Sequence, residues 1–169
     1  MDVVLRTASP EDAPAIGEIF SASWKTAYAG MVPQEYLDGL NADHWIPRLR
    51  KDLAEGKLQA SILLENGVPA GAVGYGKSRD EKLADWGEIV CIYIHPGYFR
   101  RGYGARLLRE AVKNLRQAGR RDCFLWVLAE NENAQEFYTA MGLQKTQDLT
   151  HSELMGKQLT EIRYILKEK

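Results

Sequence analysis

The sequence predicts an α/β domain built on a mixed, mainly antiparallel sheet of about seven strands flanked by helices. Three observations predict it. Short alternating or apolar runs recur along the chain and are separated by segments with helical spacing. Asn66-Gly67 stands between two strand-like runs, the strongest short-range hairpin signal, so neighbouring strands there run antiparallel. Arg100-Arg101-Gly102-Tyr103-Gly104 lies between the apolar run Ile89–Ile94 and a helical pattern, a strand, turn and helix in succession. At 169 residues, a single domain over 1–169 is expected, long enough to bury a core.

Taken in order, Val3–Ala8 reads as a strand. Ser9-Pro10-Glu11-Asp12 begins a helix, with Ser9 as cap, Pro10 at the first helical position and acids in the first turn. Ile16, Ile19, Phe20 and Trp24 continue it until Tyr28–Pro33 breaks it. Gln34–Leu40 and Asp43–Leu53 are two further helical stretches. Gln59–Glu65 and Val68–Gly76 form the hairpin around Asn66-Gly67, and Gly87–Ile94 is the next strand after a polar loop, Ser78–Asp85. A helix over Tyr103–Gln117 stops at Gly119. Cys123–Leu128 is a buried strand and Asn131–Met141 a helix with Ala134, Phe137, Tyr138 and Met141 inward. Gln144–Leu149 and Leu159–Leu166 close the domain as a hairpin around the polar stretch His151–Lys157.

Composition narrows the function. Twenty-two basic residues against 23 acidic ones give no dominating positive surface, so no nucleic-acid partner is expected. No apolar stretch approaches the ~20 residues that cross a bilayer, and no signal pattern opens the chain; a cytoplasmic protein with no membrane partner is expected. Cys91 and Cys123 read as small buried hydrophobes, and His44, His95 and His151 show no metal spacing, so no metal is expected. The basic glycine turn reads as an anion site, with a plain strand-turn-helix connection whose glycines serve geometry as the alternative: glycine admits a close ligand, and the first helical amides lack partners at the positive end of the helix dipole. It is no P-loop, because Ala105-Arg106 follows Gly104 where Lys-Ser/Thr is required. It is no dinucleotide fingerprint either, because Leu107 holds the place of the third glycine.

The element order, the turn Phe99-Arg100-Arg101-Gly102-Tyr103-Gly104, and the later run Asn131-Glu132-Asn133-Ala134-Gln135-Glu136-Phe137-Tyr138-Thr139-Ala140-Met141-Gly142 together resemble the GNAT superfamily of acetyl-CoA-dependent N-acetyltransferases. Phe99 departs from the family, where Gln or Arg is usual. The resemblance implies a sheet splayed between its fourth and fifth strands, with acetyl-CoA as acetyl donor. It implies a CoA pyrophosphate on Arg100, Arg101, Gly102, Tyr103, Gly104 and Ala105, and a pantetheine arm along the backbone of Ile92, Tyr93 and Ile94. Asn131 matches a residue that contacts the arm; capping the following helix is its other reading.

A primary amine has a pKa of roughly 10.4, so transfer needs a route for its proton, a proton for the departing thiolate, and donors for the developing oxyanion. By resemblance to the histone acetyltransferase branch, Glu88 is the candidate base; a strand-end charge is its alternative. Tyr138 matches the family's acid, with a core aromatic as the alternative. Trp24, Tyr28 and Tyr36 are expected in the wall of the acceptor pocket or in the core. The expected activity is direct transfer to a primary amine of a small molecule, such as a polyamine, or of a peptide. The alternative is a non-catalytic acyl-CoA-binding sensor or interaction module. A homodimer is expected only from the frequency of two-fold assemblies among small enzymes.

Overall fold

A computed structural model describes all of residues 1–169. Seven strands form one sheet: β1 (Val3–Thr7), β2 (Gln59–Glu65), β3 (Val68–Lys77), β4 (Gly87–Ile94), β5 (Cys123–Leu128), β6 (Gln144–Leu154) and β7 (Lys157–Leu166). Their spatial order is β1-β2-β3-β4-β5-β7-β6. Every neighbouring pair is antiparallel except β4 and β5, which are parallel. A parallel pair needs a crossover, and α4 (Tyr103–Gln117) supplies it. The other helices are α1 (Ala13–Ala27), α2 (Gln34–Asp38), α3 (Ile46–Glu55) and α5 (Glu132–Ala140).

The two faces of the sheet carry separate cores. On one, Leu107, Leu108, Ala111 and Leu115 of α4 join Leu63, Val73, Ile89, Leu125 and Val127, with Tyr138 of α5 at the margin. On the other, Ala13, Ile16, Ile19 and Phe20 of α1 and Leu49 of α3 cover Ala60, Ile62 and Ala72. The central strands β2 and β3 are therefore buried on both faces and read as nearly continuous apolar runs. Asn66 and Gly67 adopt φ of 50° and 80°, the left-handed pair that a two-residue hairpin needs.

Two departures from the sequence reading have physical causes. The stretch His151–Lys157 is mostly strand, because β6 runs on to Leu154 and turns at Met155-Gly156. It forms the edge of the sheet with most side chains in solvent, so its polarity concealed it. The third helical stretch begins as a single 3-10 turn at Ala42–His44, and α3 starts at Ile46 with Pro47 in its first turn.

Between β3 and β4 the register slips by one residue, since Gly74 faces Cys91 but Tyr75 faces Ile89. Val90 is thus an extra residue bulged out of β4, and such a bulge bends and twists its strand.

Candidate active site

The bulge falls where β4 leaves β5. The two strands pair only at Gly87 with Cys123 and Glu88 with Phe124. Beyond that point they part around a cavity of about 730 Å³, lined by Ile89–Ile94, Leu125–Leu128, the start of α4, α5 and the end of α1. His95 N–H donates to the Ala70 carbonyl at 2.8 Å, and bonded pairs alternate along an antiparallel ladder. Tyr93 and Cys91 therefore bond toward β3, while the main-chain groups of Ile92 and Ile94 turn into the gap. An amide-bearing chain lying there finds partners as an added strand would.

At one end of the gap stands the glycine turn. Gly102 caps α4 with φ of 78° and Arg100 has φ of 63°, so the backbone is left-handed twice within three residues. The first amide to find an acceptor is that of Arg106, on the Gly102 carbonyl at 3.3 Å. The N–H groups of Tyr103, Gly104 and Ala105 precede it and remain free for an anion. Arg100, Gly102, Tyr103, Gly104 and Ala105 all line the cavity. A Cβ at Gly104 would sit 3.4 Å from Cζ of Phe137, in van der Waals contact with that ring.

Tyr138 also lines the cavity. Burial pushes its phenol well above the ordinary tyrosine range, so it carries its proton at neutral pH. Asn131 lines the cavity as well, and its side-chain oxygen accepts from the Ala134 amide at 3.2 Å to cap α5. The hydroxyls of Tyr28 and Tyr93 meet at 3.1 Å in the wall. Burial pushes the Tyr28 phenol up, against the Tyr93 hydrogen bond, which lowers it. The Cys91 thiol is pushed up to about 12 by burial, too high to give a useful thiolate at neutral pH.

Other residues singled out in the sequence lie elsewhere. Glu88 is only 2% exposed and is not in the cavity lining. Its carboxylate accepts from Arg79 Nε and the Arg79 amide, each at 3.1 Å, and from Nη2 at 2.6 Å. Arg79 lies in the polar loop after β3, and no local pattern announced this partnership. Arg101 also faces away: its guanidinium bonds both oxygens of Glu65, at 2.5 and 2.6 Å, and stacks on Tyr98. Tyr103 donates its hydroxyl to the same carboxylate. These bonds hold the Glu65 carboxyl below its usual range, Tyr103 contributing most, and they clamp the turn to the end of β2. Trp24 and Tyr36 stand behind the wall in an aromatic cluster with Trp45, and the buried Trp24 indole N–H has no acceptor.

Sequence reasoning passed over Glu161. It is on β7 opposite Leu128 of β5 and lines the cavity. An acid alternating with the core residues Ile162 and Tyr164 was the available signal, since alternation puts it on the opposite face.

The sequence pattern of the acetyltransferase (GNAT) family matches residues 16–143. An uncharacterized N-acetyltransferase of Bacillus subtilis is 29% identical over 160 residues, covering 95% of this chain and 90% of its own. The spermidine N(1)-acetyltransferase of Thermoplasma acidophilum is 27% identical over 156 residues, covering 92% and 96%. Among solved structures, a putative acetyltransferase from Salmonella typhimurium with its cofactor acetyl-CoA aligns with a TM-score of 0.74 at 20% identity, over 99% of this chain and 94% of that one.

Proposed function

The chain belongs to the acetyltransferase (GNAT) family, and from that premise we propose that it moves the acetyl group of acetyl-CoA directly to a primary amine, with both substrates bound at once. One observation carries the reading: the unpaired stretch of β4 runs into free amides at the start of α4. The amides of Tyr103, Gly104 and Ala105, with Arg100 beside them, suit a pyrophosphate. The backbone of Ile92 and Ile94 suits the two amides of a pantetheine arm, and leaves the thioester over the cavity. A main-chain N–H of this stretch would then stabilise the oxyanion of the tetrahedral intermediate.

Tyr138 is the proposed acid for the departing thiolate. Its raised pKa keeps it protonated until an anion forms beside it. The acceptor is a small cationic amine in this reading, supported by likeness to the spermidine enzyme over nearly the whole chain. The test is thiol release from acetyl-CoA with spermidine, simple monoamines and peptide N-termini. Tyr138→Phe is expected to lower turnover by about 10²-fold, the low end for lost general acid catalysis because a thiolate is itself a fair leaving group. CoA affinity, read by calorimetry, stays the same. Unchanged turnover would remove Tyr138 from the chemistry. CoA binding without thiol release from any amine would favour the sensor alternative.

A further inference from the structure

Among the residues lining the cavity, only Arg100 and Glu161 are ordinarily charged. Arg100 belongs to the anion cradle, so Glu161 is the cavity's single carboxylate. It makes no hydrogen bond to any protein group, and only burial and neighbouring charges act on it. An ammonium entering this mostly apolar space needs a counter-charge, because a buried unpaired charge is costly. Glu88 is unavailable, its oxygens being taken by Arg79.

We propose that Glu161 is the group that receives the ammonium of the acceptor and takes its first proton. The inference rests on the acetyl-transfer reading for its chemistry, while its binding half stands alone. Two protons must leave the ammonium nitrogen. The first passes to the Glu161 carboxylate and from there to solvent, and the freed amine attacks the thioester carbonyl. As the C–N bond forms and the C–S bond breaks, Tyr138 gives its proton to the thiolate. The second proton, released from nitrogen as the amide forms, restores the Tyr138 hydroxyl. The sum is an amide, free CoA thiol and one proton in solvent.

The surroundings of Glu161 favour this role. Burial raises its carboxyl above the usual range, Arg79 from the loop after β3 opposes the rise, and Glu88 of β4 adds to it. Tyr28 at the end of α1 is near enough for Glu161 to raise its phenol further. The strand neighbours Leu128 and Thr150 are uncharged, and Arg163, two residues along β7, is held by Asp80 and Asp148. A raised carboxyl takes a proton from an ammonium more readily than an ordinary one, and works above its own pKa.

The experiment compares the wild-type CoA complex with Glu161→Gln and Glu161→Asp, using spermidine and n-butylamine as probes. Calorimetry is expected to show the amines binding at least tenfold more weakly to Glu161→Gln, with CoA affinity unchanged as the control for folding. At pH 7 the kcat/KM of Glu161→Gln is expected to fall ~10²–10⁴-fold. It should then regain about tenfold per pH unit toward the amine's own pKa near ~10, where the acceptor arrives deprotonated. Glu161→Asp is expected to keep the wild-type shape of the profile. Equal amine binding with equal turnover, a loss that is the same at every pH, or a wild type that binds neither amine would each overturn the proposal. Amines that bind wild type and lose affinity in Glu161→Gln, without any thiol release, would instead sink acetyl transfer and support the ammonium site.

Discussion

The lower and upper stretches of the β4–β5 pair are made of similar residues and do opposite things. Below, Gly87 and Glu88 are in register with Cys123 and Phe124, the Gly87 amide donates to the Asp122 carbonyl, and the Glu88 carboxylate is bonded to Arg79. Above, the same strands diverge around a cavity lined by Ile92, Ile94, Tyr138 and Glu161. Two glutamates a short distance apart thereby acquire different natures. Glu88, closed by Arg79, is part of what holds the sheet together. Glu161 is left with capacity to bind. Chemistry is found where pairing stops, because only there are polar groups both desolvated and unspent.

Three perturbations probe the contrast. The largest effect is expected from Phe124→Ala at the closed end. Phe124 is fully buried and carries the Arg163 guanidinium 5.0 Å from its ring centroid. Its loss should cost about 3–5 kcal/mol in urea denaturation, while CoA affinity of the folded fraction stays within a few-fold. A large loss of affinity at unchanged stability would erase the distinction between the two ends.

A middle-sized effect is expected from Glu88→Gln. One of its two oxygens becomes an amide that cannot accept from Arg79, so about 2 kcal/mol of stability should be lost. Turnover per folded molecule should fall less than threefold. A fall as deep as that of Glu161→Gln, at unaltered stability, would return Glu88 to the reacting centre.

The smallest effect belongs to the far edge of the sheet, where Arg6 of β1 pairs with Asp12 before α1 at 2.8 Å. Arg6 presses the Asp12 carboxyl from 3.8 down to about 2. A depressed acid stabilises the folded state above its unfolded pKa, and loses that contribution as pH falls from about 4 through 2. Because Arg6 is 45% exposed, the effect is at most about 1 kcal/mol. The stability gap between wild type and Arg6→Ala should close over that pH range, with turnover at neutral pH unaffected. A gap that persists at pH 2 would show that Arg6 acts by packing.

Local signals carried most of the fold. Asn66-Gly67 marked its hairpin, and the glycine turn marked the start of α4, where the first amides have no acceptor in the protein. What escaped depends on partners distant in sequence. Arg79 finds Glu88 across the β3–β4 connection, and Arg101 is claimed by Glu65 from the end of β2. Neither pairing has a spacing rule, so nothing local in the sequence showed that these two charges are bonded within the protein. Glu161 escaped for the complementary reason: its place in the cavity depends on the register of β7 against β5, which the sequence of β7 alone does not encode. The β6–β7 hairpin was expected around His151–Lys157, and its turn at Met155-Gly156 lies there; what escaped was the reach of β6 to Leu154, because its edge residues are polar.

The bulge at Val90 has one more effect, on parity. Ile89 packs with the α4 layer, yet Cys91 packs with the α1 layer, and Ile92 and Ile94 return to the α4 side while Tyr93 stays with α1. Were Val90 to take an ordinary strand position instead, odd and even positions after Ile89 would trade layers: Tyr93 would be driven to the α4 side, and Ile92 would replace it beside Phe20. Deleting Val90, by contrast, would remove the bulge while leaving every later side chain of the strand in its present layer, and what would go is the local bend and twist.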